Sequence, residues 1–232
     1  MANFGRWIER TMNISVSRVN LDPGAEFLPF AADVDVREFF TVAEIMRREG
    51  LGPNGAMMRA AELLAERTEE ILGKMETLPD GFRLIDTPGQ MEVFLFYCGS
   101  ELVSKLKGTA VVVFLMDART AGGPAGVVIT RLLEISAGLK LGVRTIGVLN
   151  KIDLVKDRRG LERLLADYEF LRAKIGEEVR GLEADLVLRL SGLLAEFLPP
   201  ARMVKVSAKT GEGFQDLYDI IHETLCACGD LT

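Results

Sequence analysis

An uninterrupted apolar run at residues 110–116 constrains the fold of this chain most strongly. It reads Ala-Val-Val-Val-Phe-Leu-Met and ends at Asp117. Such a run is typical of a strand that is buried on both faces of a parallel sheet. A further strand, predicted at 143–149, leads directly into Asn150. The pattern therefore predicts an α/β fold in which functional residues follow the carboxyl ends of the strands.

Residues 82–90 predict a strand, a sharp loop and the start of a helix. Asp86 ends the strand, where an aspartate can hold a hydrated Mg²⁺ ion. The amide of Gly89 can approach a phosphate oxygen because no side chain obstructs it, and Gln90 could orient an attacking water. The alternative is a plain β-turn followed by a helix cap.

A second acidic residue is placed in the same way. The predicted strand at 14–19 leads through Asn20 and Leu21 to Asp22, which is followed by Pro-Gly. Asp22 could contact the metal or the nucleophilic water, or it could be an ordinary turn aspartate.

Asn150-Lys151-Ile152-Asp153 is the most specific signal in the chain. A carboxylate at Asp153 can accept two hydrogen bonds, from N1–H and from the 2-amino group of guanine, whereas adenine offers no such donor pair. The stem of Lys151 can cover the plane of the base, and Asn150 can brace neighbouring loops. The alternative is a solvated strand end.

Ser207-Ala208-Lys209 follows the last predicted strand, at 203–206. A backbone amide in such a loop can donate a hydrogen bond to guanine O6. The tripeptide alone is weak evidence, but its position one strand and one helical unit after Asn-Lys-x-Asp supports a guanine site.

Gly52-Pro53-Asn54 lies between a short predicted helix that ends near Arg48 and a long helix beyond. On local grounds the segment is a helix–helix connection, and Asn54 is a candidate N-cap for the second helix.

Composition restricts the class of protein. The 232 residues are 48% hydrophobic and 27% charged, with a net charge of −6, which does not favour binding to nucleic acid or to anionic membranes. No apolar run approaches the roughly 20 residues of a membrane span. The three cysteines suit a reduced cytosol, so we expect a cytoplasmic protein. A single domain over residues 1–232 is predicted, with a helical insertion of two helices at about 157–197.

Together, these motifs resemble those of the GPN-loop GTPases, particularly the compact archaeal type. The resemblance runs from residue 2 to the C-terminus. It is carried by Asp-x-Pro-Gly-Gln, Asn-Lys-x-Asp and Ser-Ala-Lys in this order, and by Gly-Pro-Asn upstream of them. It implies a mostly parallel sheet of the P-loop-NTPase type, GTP or GDP as ligand, Mg²⁺, and GTP hydrolysis. It also implies a homodimer in which the Gly52-Pro53-Asn54 loop reaches the partner's site, and a protein client such as RNA polymerase during its assembly.

The resemblance also assigns roles to single residues. Asn150, Lys151 and Asp153 would select guanine, with Ser207 and Ala208 at O6. Asp86 would serve Mg²⁺, Gly89 would lie near the phosphates, and Gln90 with Asp22 would position the water. The partner's loop, Gly52, Pro53 and Asn54, would place Asn54 near the phosphates.

One element of this family is missing. No Gly-x-x-x-x-Gly-Lys-Ser/Thr occurs in the chain: Gly50 and Gly55 have the glycine spacing, but Ala56-Met57 follows. We therefore expect that the first strand and its phosphate loop are absent, through either truncation or degeneration to a nucleotide-free scaffold. Truncation is favoured, because loss of a central strand should be accompanied by polar substitutions along 111–116, and none is present. Weak GTP binding is the expected result.

Overall fold

The computed structural model describes residues 1–197 and 203–226. The chain divides into two compact units, Met1–Ala110 with Lys140–Gly142 and Val111–Leu139 with Val143–Thr232. They are called the first and second unit below and are described separately. The prediction of a single domain stays a prediction. Pro199 and Pro200, a pair that predicts the end of the helical insertion, lie outside the described residues, as does Cys228.

The first unit contains a three-stranded parallel sheet in the order β2-β1-β3. Its central strand β1 is largely buried, and it pairs with β3 from Val16 opposite Phe82 to Asn20 opposite Asp86. Both strands predicted from the sequence are confirmed, whereas the two-residue β2 was not predicted. The strands are β1 (Val16–Asn20), β2 (Val34–Asp35) and β3 (Phe82–Asp86).

One helix of the first unit has a start that its sequence encodes. The capping box at the start of α2 is present, since Thr41 accepts from the Glu44 backbone and the Glu44 side chain accepts from the Thr41 backbone. The long helix predicted after Gly-Pro-Asn is broken at Arg67 into two. These helices are α1 (Ala2–Thr11), α2 (Val42–Glu49), α3 (Pro53–Glu66) and α4 (Thr68–Glu76).

A π-helical turn interrupts the helix that follows Gln90. The segment consists of α5 (Met91–Val93), the π-helical turn Phe94–Cys98 and α6 (Gly99–Ser104). Gly99 is required where the turn closes, because a Cβ there would lie 2.8 Å from the backbone oxygen of Phe94.

The second unit contains another three-stranded parallel sheet, in the order β4-β5-β6. Its central strand β5 is buried over four consecutive residues. The expectation of burial on both faces is wrong for β4, because β4 is an edge strand and Leu115 in its middle is 55% exposed. The strands are β4 (Val112–Asp117), β5 (Thr145–Asn150) and β6 (Val204–Lys205).

The helical insertion contains three helices rather than two. One break occurs after Glu178. A second break occurs at Asp167, whose side chain accepts from the Phe170 N–H and caps a new helix. A core of buried aliphatic residues, including Ile152, Leu161 and Ile175, joins the insertion to the sheet. The helices are α7 (Pro124–Leu141), which ends in the first unit, α8 (Arg158–Ala166), α9 (Tyr168–Glu178), α10 (Leu182–Phe197) and α11 (Phe214–Cys226).

Parallel sheets flanked by helices confirm the predicted α/β class, of the P-loop-NTPase type. Within the described ranges, no helix combines the length and the apolar character needed to cross a membrane.

Candidate functional site

Asn150 holds two loops of the second unit together. It is the last residue of β5, and its side-chain oxygen Oδ1 accepts hydrogen bonds from the backbone N–H of Lys151 at 2.8 Å and of Ala208 at 3.0 Å. The loop after β5 and the loop after β6 therefore share one acceptor. The prediction that Asn150 braces neighbouring loops is confirmed.

The backbone at Lys151 is left-handed, with φ of 64°, and in the described part of the chain only Asn13 is a further non-glycine residue with positive φ. Such a conformation costs of the order of 1–3 kcal/mol unless its surroundings hold it in place. The Asn150 side chain does so by accepting the Lys151 N–H. The Lys151 ammonium forms an ion pair with Asp117, Nζ to Oδ2 at 3.0 Å.

Asp153 belongs to a 3₁₀ turn, Ile152–Leu154, that follows Lys151. The turn is anchored by Ile152, which is buried and donates its N–H to the Val206 carbonyl at 3.1 Å. Asp153 is half-buried. Its carboxylate makes no hydrogen bond or ion pair with other residues of the described ranges, so it can accept from a ligand.

Ser207 and Ala208 lie in a tight loop after β6. Ser207 is fully buried, and its hydroxyl accepts from the Thr210 N–H at 3.2 Å while its carbonyl accepts from Gly211 at 2.8 Å. Because the Ala208 N–H is donated to Asn150, donation to a base oxygen would have to share or replace that bond. The next amide, of Lys209, has no acceptor within the described chain and is the better candidate, which sequence reasoning missed.

Asp117 was noted in the sequence only as the end of an apolar run. Its Oδ1 accepts from the backbone N–H and Nε of Arg119, and its Oδ2 accepts from Arg119 Nη2 at 2.6 Å and from Lys151. The Arg119 guanidinium, followed by the Lys151 ammonium, holds the pKa of the Asp117 carboxyl far below its usual range. An acid directly after an apolar strand was the signal that could have identified it.

Asp22 and Asp86 are neighbours in the first unit. Asp86 ends β3 opposite Asn20, and its carbonyl accepts the Leu21 N–H at 2.8 Å. Burial raises the pKa of the Asp86 carboxyl; the N-terminal ammonium opposes this rise, and the Asp22 charge adds to it. A half-buried carboxylate beside a second carboxylate is a position where bound positive charge is favourable.

Asn20 fixes the loop that carries Asp22. Its fully buried side chain donates to Asp35 Oδ1 at 2.9 Å and accepts the Asp22 N–H at 3.1 Å. Arg37 clamps the same Asp35 through Nε and Nη2. Asp22 itself accepts the Gly24 N–H at 2.8 Å, so it does act as a turn residue, and its metal or water role is not tested by this contact.

Gly52, Pro53 and Asn54 are all exposed at the start of α3. The prediction of Asn54 as N-cap is wrong: Gly52 is the N-cap and Pro53 occupies the first helical position, where its missing N–H is not needed. The helix start has no side-chain cap and no acidic residue in its first turn.

Gly89 and Gln90 are exposed between β3 and α5. No atom lies within 4 Å of a Cβ added at Gly89, so another group can approach this part of the backbone closely. Gln90 is the N-cap residue of α5, but its side chain makes no capping hydrogen bond.

The predicted site residues thus fall into two groups, one in each unit. The first unit brings together Asp22 and Asp86 at the carboxyl ends of β1 and β3, and it also carries residues 52–54, Gly89 and Gln90. The second unit brings together Asn150, Lys151, Ser207 and Ala208, with Asp153 beside them. Over residues 1–197 and 203–226, no group of three histidine, cysteine or acidic side chains forms a ready metal cluster.

Comparisons with known proteins agree with these motifs. Residues 5–227 match a family model described as "Conserved hypothetical ATP binding protein". The chain is 40% identical over 236 residues to the GPN-loop GTPase PAB0955 of Pyrococcus abyssi, covering 99% of this chain and 92% of the relative. The crystal structure of PAB0955, described as a GTPase in apo form, matches with a TM-score of 0.86 and 37% identity over 98% of this chain and 92% of the other.

More distant relatives are eukaryotic. The GPN-loop GTPase QQT2 of Arabidopsis thaliana is 30% identical over 208 residues, and GPN-loop GTPase 1 of Saccharomyces cerevisiae is 27% identical over 217 residues. Each match covers 88% of this chain, which spans 54% and 56% of the length of these two relatives. The chain therefore belongs to the family of GPN-loop GTPases, and by that membership it is classed as a GTP hydrolase.

Proposed function

We propose that this protein binds GTP through a guanine-selective site in its second unit, and that it hydrolyses the bound GTP once the phosphates of the nucleotide are fixed in position. The observation that carries the proposal is the Asp153 carboxylate. It has no partner elsewhere in the described residues, and it follows the strained Lys151 and the bracing Asn150. A free acceptor on a rigid support is suited to a ligand with a fixed pair of donors.

Guanine is favoured over adenine by hydrogen-bond polarity. Guanine presents N1–H and the 2-amino group side by side, and both can be donated to one carboxylate. Adenine has an acceptor at N1, which the acceptor oxygens of Asp153 would repel. The family model's description mentions ATP, but the chemistry of Asp153 and the names of the relatives support GTP.

The proposal also covers the metal and the attacking water, in the roles that the family resemblance gives to Asp86, Gln90 and Asp22. Mg²⁺ binds hard oxygen ligands and keeps several waters, so one carboxylate together with phosphate oxygens suffices. The proposal makes Asp86 that ligand, because a bound cation would offset the burial that raises its pKa. Gln90 and Asp22 would orient the attacking water, with the Gly89 amide near a phosphate oxygen.

Dimer formation is part of the same proposal. The exposed Gly52-Pro53-Asn54 segment begins a 14-residue helix whose first-turn amides have no side-chain cap. Such a helix start favours anions, which suits a loop that reaches the phosphates in a second copy, with Asn54 beside them. A cytoplasmic location and a protein client, such as RNA polymerase in assembly, are further expectations from the family.

Weak GTP binding is proposed for the 232 residues themselves. Among them no Gly-x-x-x-x-Gly-Lys-Ser/Thr is present to cradle the β-phosphate. This observation favours a second candidate function, a nucleotide-free scaffold on the same fold. Isothermal titration with GTP–Mg²⁺ tests the point: affinity weaker than micromolar is expected, and micromolar or tighter binding would contradict it.

Guanine selection can be tested without the phosphate cradle. Titration of GMP, IMP and AMP into the ¹⁵N-labelled chain should shift the amides of Lys151, Asp153 and Lys209 with GMP. IMP lacks the 2-amino group and should bind more weakly, and AMP should not bind.

Asp153→Asn should weaken the affinity for GMP by about tenfold or more, since hydrogen bonds to a charged group are each worth roughly 1.5–3 kcal/mol. Asp157→Asn is the matched control, because Asp157 caps α8 through Gly160. Equal affinities for GMP and AMP, or no effect of Asp153→Asn, would refute guanine selection by this site.

A further inference from the structure

We propose that Asp117 is a positioning residue of the base site, which holds the Lys151 side chain so that its stem forms one wall of that site. The inference deepens the proposed function and rests on it, because the base site is itself a proposal. It is carried by a cluster in the second unit that comprises Asp117, Arg119 and Lys151.

Strand register brings the pair together. Asp117, the last residue of β4, lies opposite Asn150, the last residue of β5. The next residue, Ala118, is fully buried and donates its N–H to the Asn150 carbonyl at 2.8 Å. The chain segments that carry Asp117 and Lys151 are therefore fixed to each other by the sheet.

Asp117 is the more restrained member of the ion pair. Both of its carboxylate oxygens accept from Arg119, and its side chain is 20% exposed, compared with 51% for Lys151 and 60% for Arg119. Arg119 is in turn tied by its backbone N–H, which is donated to Asp117 Oδ1 at 3.0 Å. The Asp117 carboxylate is thus held by Arg119 independently of its ion pair with Lys151.

A purely stabilising role does not account for this arrangement. Ion pairs between exposed groups contribute about 0–1 kcal/mol to stability. The left-handed backbone at Lys151 is itself unfavourable in free energy. What the pair does is restrict a long, flexible side chain. A lysine stem whose end is already held by Asp117 loses less conformational freedom when a flat ring is laid against it.

Asp117→Asn tests the inference, because it removes the charge and keeps the shape. GMP affinity should fall roughly three- to tenfold, the range expected when one side chain is no longer pre-organised. Asp157→Asn makes the same chemical change elsewhere in the second unit and should leave GMP affinity unchanged. Arg119→Ala, at an exposed side chain, should give a smaller loss, and it replaces Asp117→Asn should that variant fail to fold.

A second readout needs no nucleotide. The internal motion of the Lys151 ammonium should increase in Asp117→Asn. It is measured by ¹⁵N relaxation of the lysine NH₃⁺ signals, and the Lys151 signal is identified as the one that disappears in Lys151→Met. An unchanged Lys151 signal would overturn the inference, as would a mobile Lys151 with unchanged GMP affinity. Absence of GMP binding to the unmodified chain would instead refute the proposed function, and the ammonium signal would then decide alone whether Asp117 positions Lys151.

Discussion

The backbone N–H of Gly147, in the middle of β5, donates a hydrogen bond to Glu134 Oε1 on α7 at 2.9 Å. Glu134 also pairs with Arg131 at 2.6 Å, and the two side chains are only 12% and 11% exposed. A part-buried ion pair on the helix is therefore fixed to the central strand of the second unit. Burial raises the pKa of Glu134, and the Arg131 charge only partly opposes this.

Gly147→Ala should destabilise the second unit. A Cβ at this position would lie 2.5 Å from Glu134 Oε2, so the carboxylate must move and its hydrogen bond and ion pair are disturbed. Overpacking of this kind costs about 1–3 kcal/mol, measurable by urea unfolding. Gly176→Ala is the control: nothing lies within 4 Å of its Cβ on α9, and it should raise the free energy of unfolding by about 0.5–1 kcal/mol.

Asp86→Asn should stabilise the first unit, by an amount that grows with pH. The pKa of Asp86 in the fold lies above the ordinary value of 3.8, because burial disfavours the charged form. The stability that its protonated form contributes is present below 3.8 and is lost as pH rises through the folded pKa. Urea unfolding of both proteins between pH 4 and 8 measures the effect, and a difference that shrinks as pH rises would contradict it.

Asp35→Asn should have the opposite pH dependence. Burial alone would raise the pKa of Asp35, but the hydrogen bonds from Arg37 and Asn20 outweigh it, so the pKa lies below 3.8. The charged form therefore contributes stability above 3.8 that is lost as pH falls through the folded pKa. The variant should be less stable than the parent at neutral pH, and the two should converge in acid. A difference in the free energy of unfolding that stays constant down to low pH would exclude a stabilising role for the hydrogen bonds from Arg37 and Asn20 to Asp35.

Asn150→Ala should loosen the loop after β6. Two backbone donors, of Lys151 and Ala208, lose their shared acceptor, at a cost of about 1–3 kcal/mol. Amide hydrogen exchange should accelerate at both residues. In a control variant, Asp167→Ala, exchange should accelerate at Phe170 and not at Ala208. Unchanged protection of Ala208 in Asn150→Ala would rule out the brace.

The sequence was informative where a local pattern decides the structure. Apolar runs that end in polar residues located β1, β3, β4, β5 and β6, and they placed Asp86 and Asn150 at strand ends. The short β2 was missed because two residues, Val34 and Asp35, carry no periodicity. The burial of β4 was misjudged because it depends on whether a strand pairs on one side or two, which composition does not encode.

Contacts that depend on register were also beyond the sequence. The ion pair between Asp117 and Lys151 spans 34 residues and exists because β4 and β5 end level with each other. The bond from Ala208 to Asn150 spans 58 residues. Motif spacing indicated that these loops are related, but it could not show which amide is already engaged and which remains available.

The edge position of β4 has a consequence for handling the protein. Among the described strands β4 pairs only with β5, and its sequence from Val112 to Met116 is wholly apolar. A strand of this kind can pair, through its free backbone N–H and C=O groups, with the same strand of another molecule. Concentrated samples should therefore form aggregates in which strands of different molecules pair, and Leu115→Lys should keep the protein dispersed.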